Sequence, residues 1–430
     1  MVKRVLMIAY HYPPLRGGSG IQRTLAFSDY LPQSGWHPIV LSATPNAYVS
    51  ANVDAGGGAI VVDDHRTQSP VHRSFALDAS RHLAIRGRYP SLLAQPDRWI
   101  SWWLSAVPAG LKLIREHQPQ VIWSSYPIAT AHLIALTLHR KTGIPWIADQ
   151  RDPMVDIDYP PDPRRRRIHG WIEKQAMQRA AAVVCTTPGA ARDLAARHPH
   201  ADARRIALIE NGYDEANFAA AELMAPEPRP AGAPFTLLHS GVIYPSERDP
   251  APLFAALARL LSEGAIDAAN FRLVLRATAH EAHLQKLMRE HPGIEALVEL
   301  APPLPYRDAL AEMVAADGLL LLQASNCNGQ IPAKLYEYLR ARRPVLALTD
   351  ADGDTAGALR GAGIDTIGRL DSSADIAVTL MRFLGLCRAH QAPLAPPALI
   401  AGHARSARTR ELAALLDSID RIDRIDKEKP

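Results

Sequence analysis

The feature that most constrains this chain is an alternation of short apolar runs with helical-period segments, which restarts midway along the sequence. Val5–Ala9, Pro38–Leu41, Val121–Trp123, Trp146–Ala148, Ala182–Cys185 and Ile206–Ile209 have strand length; Phe235–His239, Leu273–Arg276, Gly318–Leu322 and Val345–Leu348 repeat the pattern. Helical stretches such as Pro252–Leu261 and Ala333–Ala341 lie between them. Strands joined through helices run parallel, so the alternation predicts an α/β protein of two doubly wound, Rossmann-like domains. The Ala-, Pro- and Glu-rich segment 219–234 reads as a linker. It separates an N-terminal domain over 1–218 from a C-terminal domain over 235–405, followed by a C-terminal helix and tail over 406–430, whose end reads as solvated helix. Two such domains facing a central cleft would bind ligands with their post-strand loops.

With 430 residues, 47% of them hydrophobic, the chain exceeds one ordinary core. A net charge of +4 is too balanced for nucleic acid as the main partner. Cys185, Cys327 and Cys387 are scattered, which fits a reducing compartment. The opening run Met1–Tyr10 reads as a strand, not a signal peptide, and no stretch nears the roughly 18 apolar residues of a membrane span. The expected location is cytoplasmic. The run Arg98–Leu104, with three tryptophans, and Arg164–Arg167 ahead of Trp171 suit peripheral contact with the inner face of the plasma membrane; tryptophans of the core or of an acceptor pocket and a solvated helix start are the plain alternative.

Two loops carry the chemistry. The first βα loop, His11 to Arg23, contains Gly17, Gly18 and Gly20, which can expose amides just ahead of a helix and so cradle an anion. It is neither GxGxxG nor a P-loop, and a purely structural turn stays open. In the second half, Asn326 to Leu339 contains Gly329, Gln330, Ile331, Pro332, Lys334 and Glu337. Pro332 suits a first helical turn, and Lys334 and Glu337, three apart, share a helix face near its amino end. A surface ion pair worth under about 1 kcal/mol is the alternative.

The string Ile331-Pro-Ala-Lys334-Leu-Tyr-Glu337, followed by Arg343-Pro344-Val345, resembles the donor-site helix of glycosyltransferase family 4. Ala148-Asp-Gln-Arg-Asp-Pro153, Thr187-Pro-Gly189, Glu210-Asn-Gly-Tyr-Asp214 and His239-Ser-Gly-Val-Ile-Tyr-Pro-Ser-Glu-Arg-Asp-Pro250 resemble further segments of that family. The resemblance implies a GT-B fold and a retaining glycosyltransferase that uses a nucleotide-diphospho-sugar as co-substrate, with no cofactor and no metal. It implies work on a glycan or lipid-linked acceptor in polysaccharide or glycolipid assembly. It places Glu337 on the donor ribose, Lys334 and Arg248 on the leaving diphosphate, and Gly17, Gly18, Gly241, Gly329, Gln330 and Ile331 around the donor. His11 and Asp152 fall on the acceptor side. One cation about 4 Å from the diphosphate, at an effective dielectric near 20, is worth about 4 kcal/mol. The family's usual second Glu is absent, since Gly329 stands there.

Pairing of Arg248 with Glu247 or Asp249 is the competing role for that residue, and Arg276 faces either the cleft or solvent. His11, His132, His239 and His280 lack metal-ligand spacing, so a histidine bonding sugar or phosphate is expected instead. A nucleotide-sugar epimerase, a phosphorylase and a non-catalytic nucleotide-sugar-binding protein share the two-domain plan and remain alternatives.

Overall fold

The structure, a computed structural model, describes residues 2–15, 19–48, 69–86, 88–156, 159–224 and 232–428. They form two compact units: one holds the chain up to Asn211 together with Arg405 onward, the other Gly212–Ala404.

The first unit runs β1 (Lys3–Ile8), α1 (Ser19–Tyr30), β2 (Trp36–Ala43), β3 (Val71–Ser74), α2 (Ala79–His82), α3 (Ser101–His117), β4 (Val121–Ser125), α4 (Ala129–Thr142), β5 (Trp146–Gln150), α5 (Pro163–Arg179), β6 (Ala182–Cys185), α6 (Pro188–Arg197) and β7 (Ile206–Leu208). Its sheet has the order β3-β2-β1-β4-β5-β6-β7, and every pairing is parallel. The second unit runs α7 (Glu215–Leu223), β8 (Phe235–Ser240), α8 (Ala251–Ser262), β9 (Phe271–Arg276), α9 (Glu281–Arg289), β10 (Val298–Ala301), α10 (Tyr306–Ala315), β11 (Gly318–Leu322), α11 (Lys334–Ala341), β12 (Val345–Leu348), α12 (Asp354–Gly361), β13 (Ile367–Gly368), α13 (Ser373–Arg388) and α14 (Pro397–Gly402). Its parallel order is β10-β9-β8-β11-β12-β13. Helix α15 (Arg405–Glu428) closes the described chain.

Each sheet is covered on both faces, so successive side chains of a central strand enter different cores. In β1, Leu6 and Ile8 pack with α3 and α4, while Val5 and Met7 pack with α1 and α15. In β11, Leu319 and Leu321 pack with α10 and α11, and Leu320 and Leu322 with α8 and α13. This two-sided burial explains why these runs are continuously apolar. The edge strands β3, β10 and β13 have no such run and leave no strand signature in the sequence. Pro38 is tolerated inside β2 because β3 begins to pair only at Val40.

The expected boundaries move. Residues 219–223, taken as linker, complete α7, and α7 belongs to the second unit. Its Phe218 and Ala221 are buried with α10 and α11, and Arg340 of α11 pairs with Glu215 and Glu222. Residues 225–231 lie outside the described residues. The crossing falls at Asn211–Gly212, within the turn-forming Asn-Gly pair, and Tyr213 bridges to Ala404 where the chain leaves the second unit. Of the tail expected to be solvated, Leu416, Ile419 and Asp420 are buried, while Arg421, Ile422, Arg424 and Ile425 are exposed. Leu412, Ala413, Leu416 and Ile419 fall on one face of α15 and are buried in the first unit, and Asp417 accepts from Lys3 and Trp36.

A buried ion pair anchors the first unit. Arg23 of α1 donates Nε to Asp149 of β5 at 3.0 Å and also reaches the carbonyls of Ile209 and Glu210 at 2.9 and 2.8 Å. Both charged groups are almost fully buried. Replacing Arg23 with Met should therefore strand a buried carboxylate and cost about 3–5 kcal/mol. Denaturant unfolding followed by circular dichroism measures this, and an unchanged midpoint would show the pair to be dispensable.

Candidate functional site

In an open parallel sheet, ligands bind beyond the strand ends where the order reverses. In the second unit that place lies between β8 and β11, and the loops that follow those strands carry most of the residues singled out from sequence.

Gly241 follows β8 with φ of +112°, a conformation that side chains resist, and a Cβ there would lie 3.1 Å from Lys334 Nζ. His239, buried within β8, has Nδ1 2.9 Å from the Leu320 carbonyl and Nε2 3.1 Å from Lys334 Nζ. His239, one of the four histidines considered for bonding sugar or phosphate, is thus engaged with β11 and with Lys334. Arg248 donates to the Val242 carbonyl at 2.8 Å and lies over the Tyr244 ring at 5.4 Å, in place of a pair with Glu247 or Asp249. Burial and the nearby Arg248 guanidinium hold the Lys334 pKa well below the ordinary lysine range, with Glu337 acting in the opposite sense. Glu337 accepts from Tyr306 Oη at 2.7 Å, a partner that sequence spacing does not suggest.

The loop bearing Gly329, Gln330 and Ile331 is fastened from beneath. Gln323, at the end of β11, donates Nε2 to the carbonyls of Cys327 and Gln330 at 2.8 and 2.9 Å, and Thr355 also donates to Gln330. The Gln330 amide is engaged with Cys327, so its exposed side chain is what it offers outward. The Ile331 side chain is buried in the core, leaving only its backbone to face a ligand. Pro332 precedes the helix, which starts at Lys334. Arg276 is structural: it pairs with Glu312 and donates to the Pro302 carbonyl at 2.7 Å. A cavity of about 480 Å³ opens beside Gln323 and Ser325, but Asp249, Asp350, Asp352 and Asp371 line it and Arg369, also in the lining, is paired with Asp371, a poor setting for phosphate.

In the first unit, Arg151 links the two acceptor-side candidates. It pairs with the exposed Asp152 at 3.1 Å. It also helps depress His11, whose pKa burial and the guanidinium lower to about 3. Its guanidinium fills the space over Gly20, where a Cβ would come within 1.7 Å. Gly17 and Gly18 lie outside the described residues. His132 bonds Ser124 at 2.8 Å in the core, and among the described residues no group of three or more His, Cys, Asp and Glu could hold a metal.

The tryptophans divide between core and surface. Trp102 is buried and donates to Ser74. Trp103 and Trp171 line a cavity of about 590 Å³ with Ile100, Leu133, Arg140 and Lys141. Among the described residues no helix is long and apolar enough to cross a membrane.

Residues 19–212 match the family model described as a glycosyl transferase 4-like domain. By sequence, no curated protein matches. Among solved structures the chain is similar to α,α-trehalose 6-phosphate synthase from Burkholderia multivorans, at 12% identity and TM-score 0.68, covering 100% of this chain and 99% of that one. It is also similar to Anabaena HepE in complex with UDP and glucose (13%, TM-score 0.58, 100% of each chain). A third is UDP-N-acetylglucosamine 2-epimerase from Rickettsia bellii (13%, TM-score 0.55, 99% of each chain). At such identities the likeness shows the fold, which is GT-B.

The folded first unit resists a proton on His11 that the unfolded chain accepts near its ordinary pKa of about 6.5. Its stability should be full above that pH and decline as pH falls toward about 3. Denaturation at pH 7 and 5 should show a smaller decline in His11→Asn; an equal decline would place the acid sensitivity elsewhere.

Proposed function

From a chain of GT-B fold whose residues 19–212 match a glycosyl transferase 4-like domain, we propose a retaining glycosyltransferase that moves a sugar from a nucleotide-diphospho-sugar to a glycan or lipid-linked acceptor. The observation that carries the reading is the convergence of Lys334, Arg248 and Gly241 at the strand-order reversal of the second unit, with Glu337 one turn along α11. A diphosphate over Gly241 meets the Arg248 guanidinium and the Lys334 side chain there, and the Glu337 carboxylate, steadied by Tyr306, accepts from two vicinal ribose hydroxyls. Gly329 and the Gln330 side chain border the sugar. His11, Arg151 and Asp152 serve the acceptor.

In this reading the bond between the anomeric carbon and the diphosphate breaks. The acceptor oxygen bonds to that carbon on the same face, and its proton passes to a donor phosphate oxygen. Lys334 and Arg248 stabilise the departing charge, so the reaction as proposed uses neither metal nor cofactor. The setting is cytoplasmic assembly of cell-surface polysaccharide or glycolipid.

A thermal-shift screen of nucleoside diphosphates and nucleotide sugars in the presence of chelator tests the donor site. At 100 times the dissociation constant, binding adds about 2.7 kcal/mol. We expect one nucleotide to stabilise the protein and Glu337→Ala to weaken it by about 1.5–3 kcal/mol. No response to any nucleotide would sink the reading, and consumption of nucleotide sugar without acceptor would favour an epimerase.

A lipid-linked acceptor is supported by the outer face of α5, where Arg164, Arg167, Trp171 and Lys174 follow helical spacing and are exposed. Trp171 borders the apolar cavity that Arg140 and Lys141 also line, a combination that suits an anionic membrane surface. The protein should sediment with phosphatidylcholine vesicles containing about a third phosphatidylglycerol but not with phosphatidylcholine alone. Replacing Arg164 and Arg167 together with Ala should weaken this by about 2 kcal/mol, roughly thirtyfold. Equal sedimentation with both vesicles would argue against an anionic docking face.

A further inference from the structure

Lys334 is held by an uncharged group. The Leu320 carbonyl can only accept, so His239 Nδ1 at 2.9 Å carries the ring proton and Nε2 presents a lone pair. That lone pair faces Lys334 Nζ at 3.1 Å. An ammonium and a neutral amine both donate N–H to it, so the contact survives a change of charge. The charged groups facing Lys334 are Arg248, from the loop after β8, and Glu337, on its own helix. Gly241 leaves room on the remaining side, since a Cβ there would press on Nζ.

We infer that His239 is a positioning residue that keeps Lys334 aimed over Gly241 and away from Glu337, and that a diphosphate bound there loads Lys334 with one proton from solvent. The inference rests on the donor-site reading above. In the free protein, burial and Arg248 favour the neutral amine. The incoming anion reverses that balance: the Nζ lone pair takes a proton from water or buffer, the N–H contact to Nε2 persists, and His239 keeps its charge. No bond to the ligand forms. By reciprocity, the diphosphate binds more weakly as rising pH makes that proton harder to obtain.

Calorimetric titration with UDP, or with GDP or ADP if either stabilises the protein more, in buffers of different ionisation enthalpy counts the protons taken up. Between about pH 7 and 9, above the second phosphate ionisation at about 6, wild-type protein should take up a measurable fraction of one proton. Its affinity should fall by up to about tenfold per pH unit. Lys334→Arg, which stays charged, should still bind but take up almost none. His239→Phe frees Lys334 to pair with Glu337, so uptake should again fall, with affinity down roughly tenfold. Should that variant not fold, His239→Leu removes the same acceptor with a smaller side chain and should lower uptake in the same way. Binding without uptake in wild type overturns the inference, and unchanged uptake in His239→Phe or in His239→Leu overturns the role of His239. Failure of wild type to bind any nucleoside diphosphate overturns the donor-site reading instead.

Discussion

The constraint on which this protein depends is the parallel ladder of its two sheets. Parallel strands need a crossover after each strand, and helices in those crossovers bury both faces of the sheet. Every post-strand loop is thereby delivered to the same edge. The order reverses between β8 and β11, and sheets of this kind bind ligands beyond the strand ends at such a point. Gly241 and Arg248 belong to the loop after β8 and Lys334 opens the helix that follows the loop after β11, which brings the three together.

At that point the polar groups restrain one another. His239 is fixed by Leu320, Lys334 by His239 and Glu337 by Tyr306. Gln323 and Thr355 hold the Gln330 carbonyl from behind. Hydrogen bonds of this kind contribute about 1 kcal/mol each in net terms, but leaving a buried partner unsatisfied costs more. The cluster is therefore organised by the protein's own contacts.

The first unit is organised around charge pairs at its own strand ends. Arg23 ties α1 to β5 and to the chain leaving β7, and Arg405 of α15 donates to Gln22 of α1. Arg408 reaches Glu210 close to the outgoing crossing. The returning helix thus seals the segment at which the chain departs. Arg151 lies near these groups in sequence but serves a different purpose, spanning Gly20 and Asp152 beside His11.

The sequence by itself determined the α/β class and the doubling of the architecture, because strand and helix periods and turn residues are local properties of the chain. The three-residue spacing that sets Lys334 and Glu337 on one helix face is equally local. Only the tertiary structure decided what those side chains meet. His239 contacts Lys334 across 95 positions, and Tyr306 reaches Glu337 across 31. Glu312 occupies Arg276, α7 joins the second unit, and α15 returns to the first. Of the edge strands, β7 was legible as Ile206–Ile209, whereas β3, β10 and β13 escaped notice because half-exposed strands need no continuous apolar run. Pairings between distant residues follow from how sheets and helices pack, and spacing along one chain does not encode them.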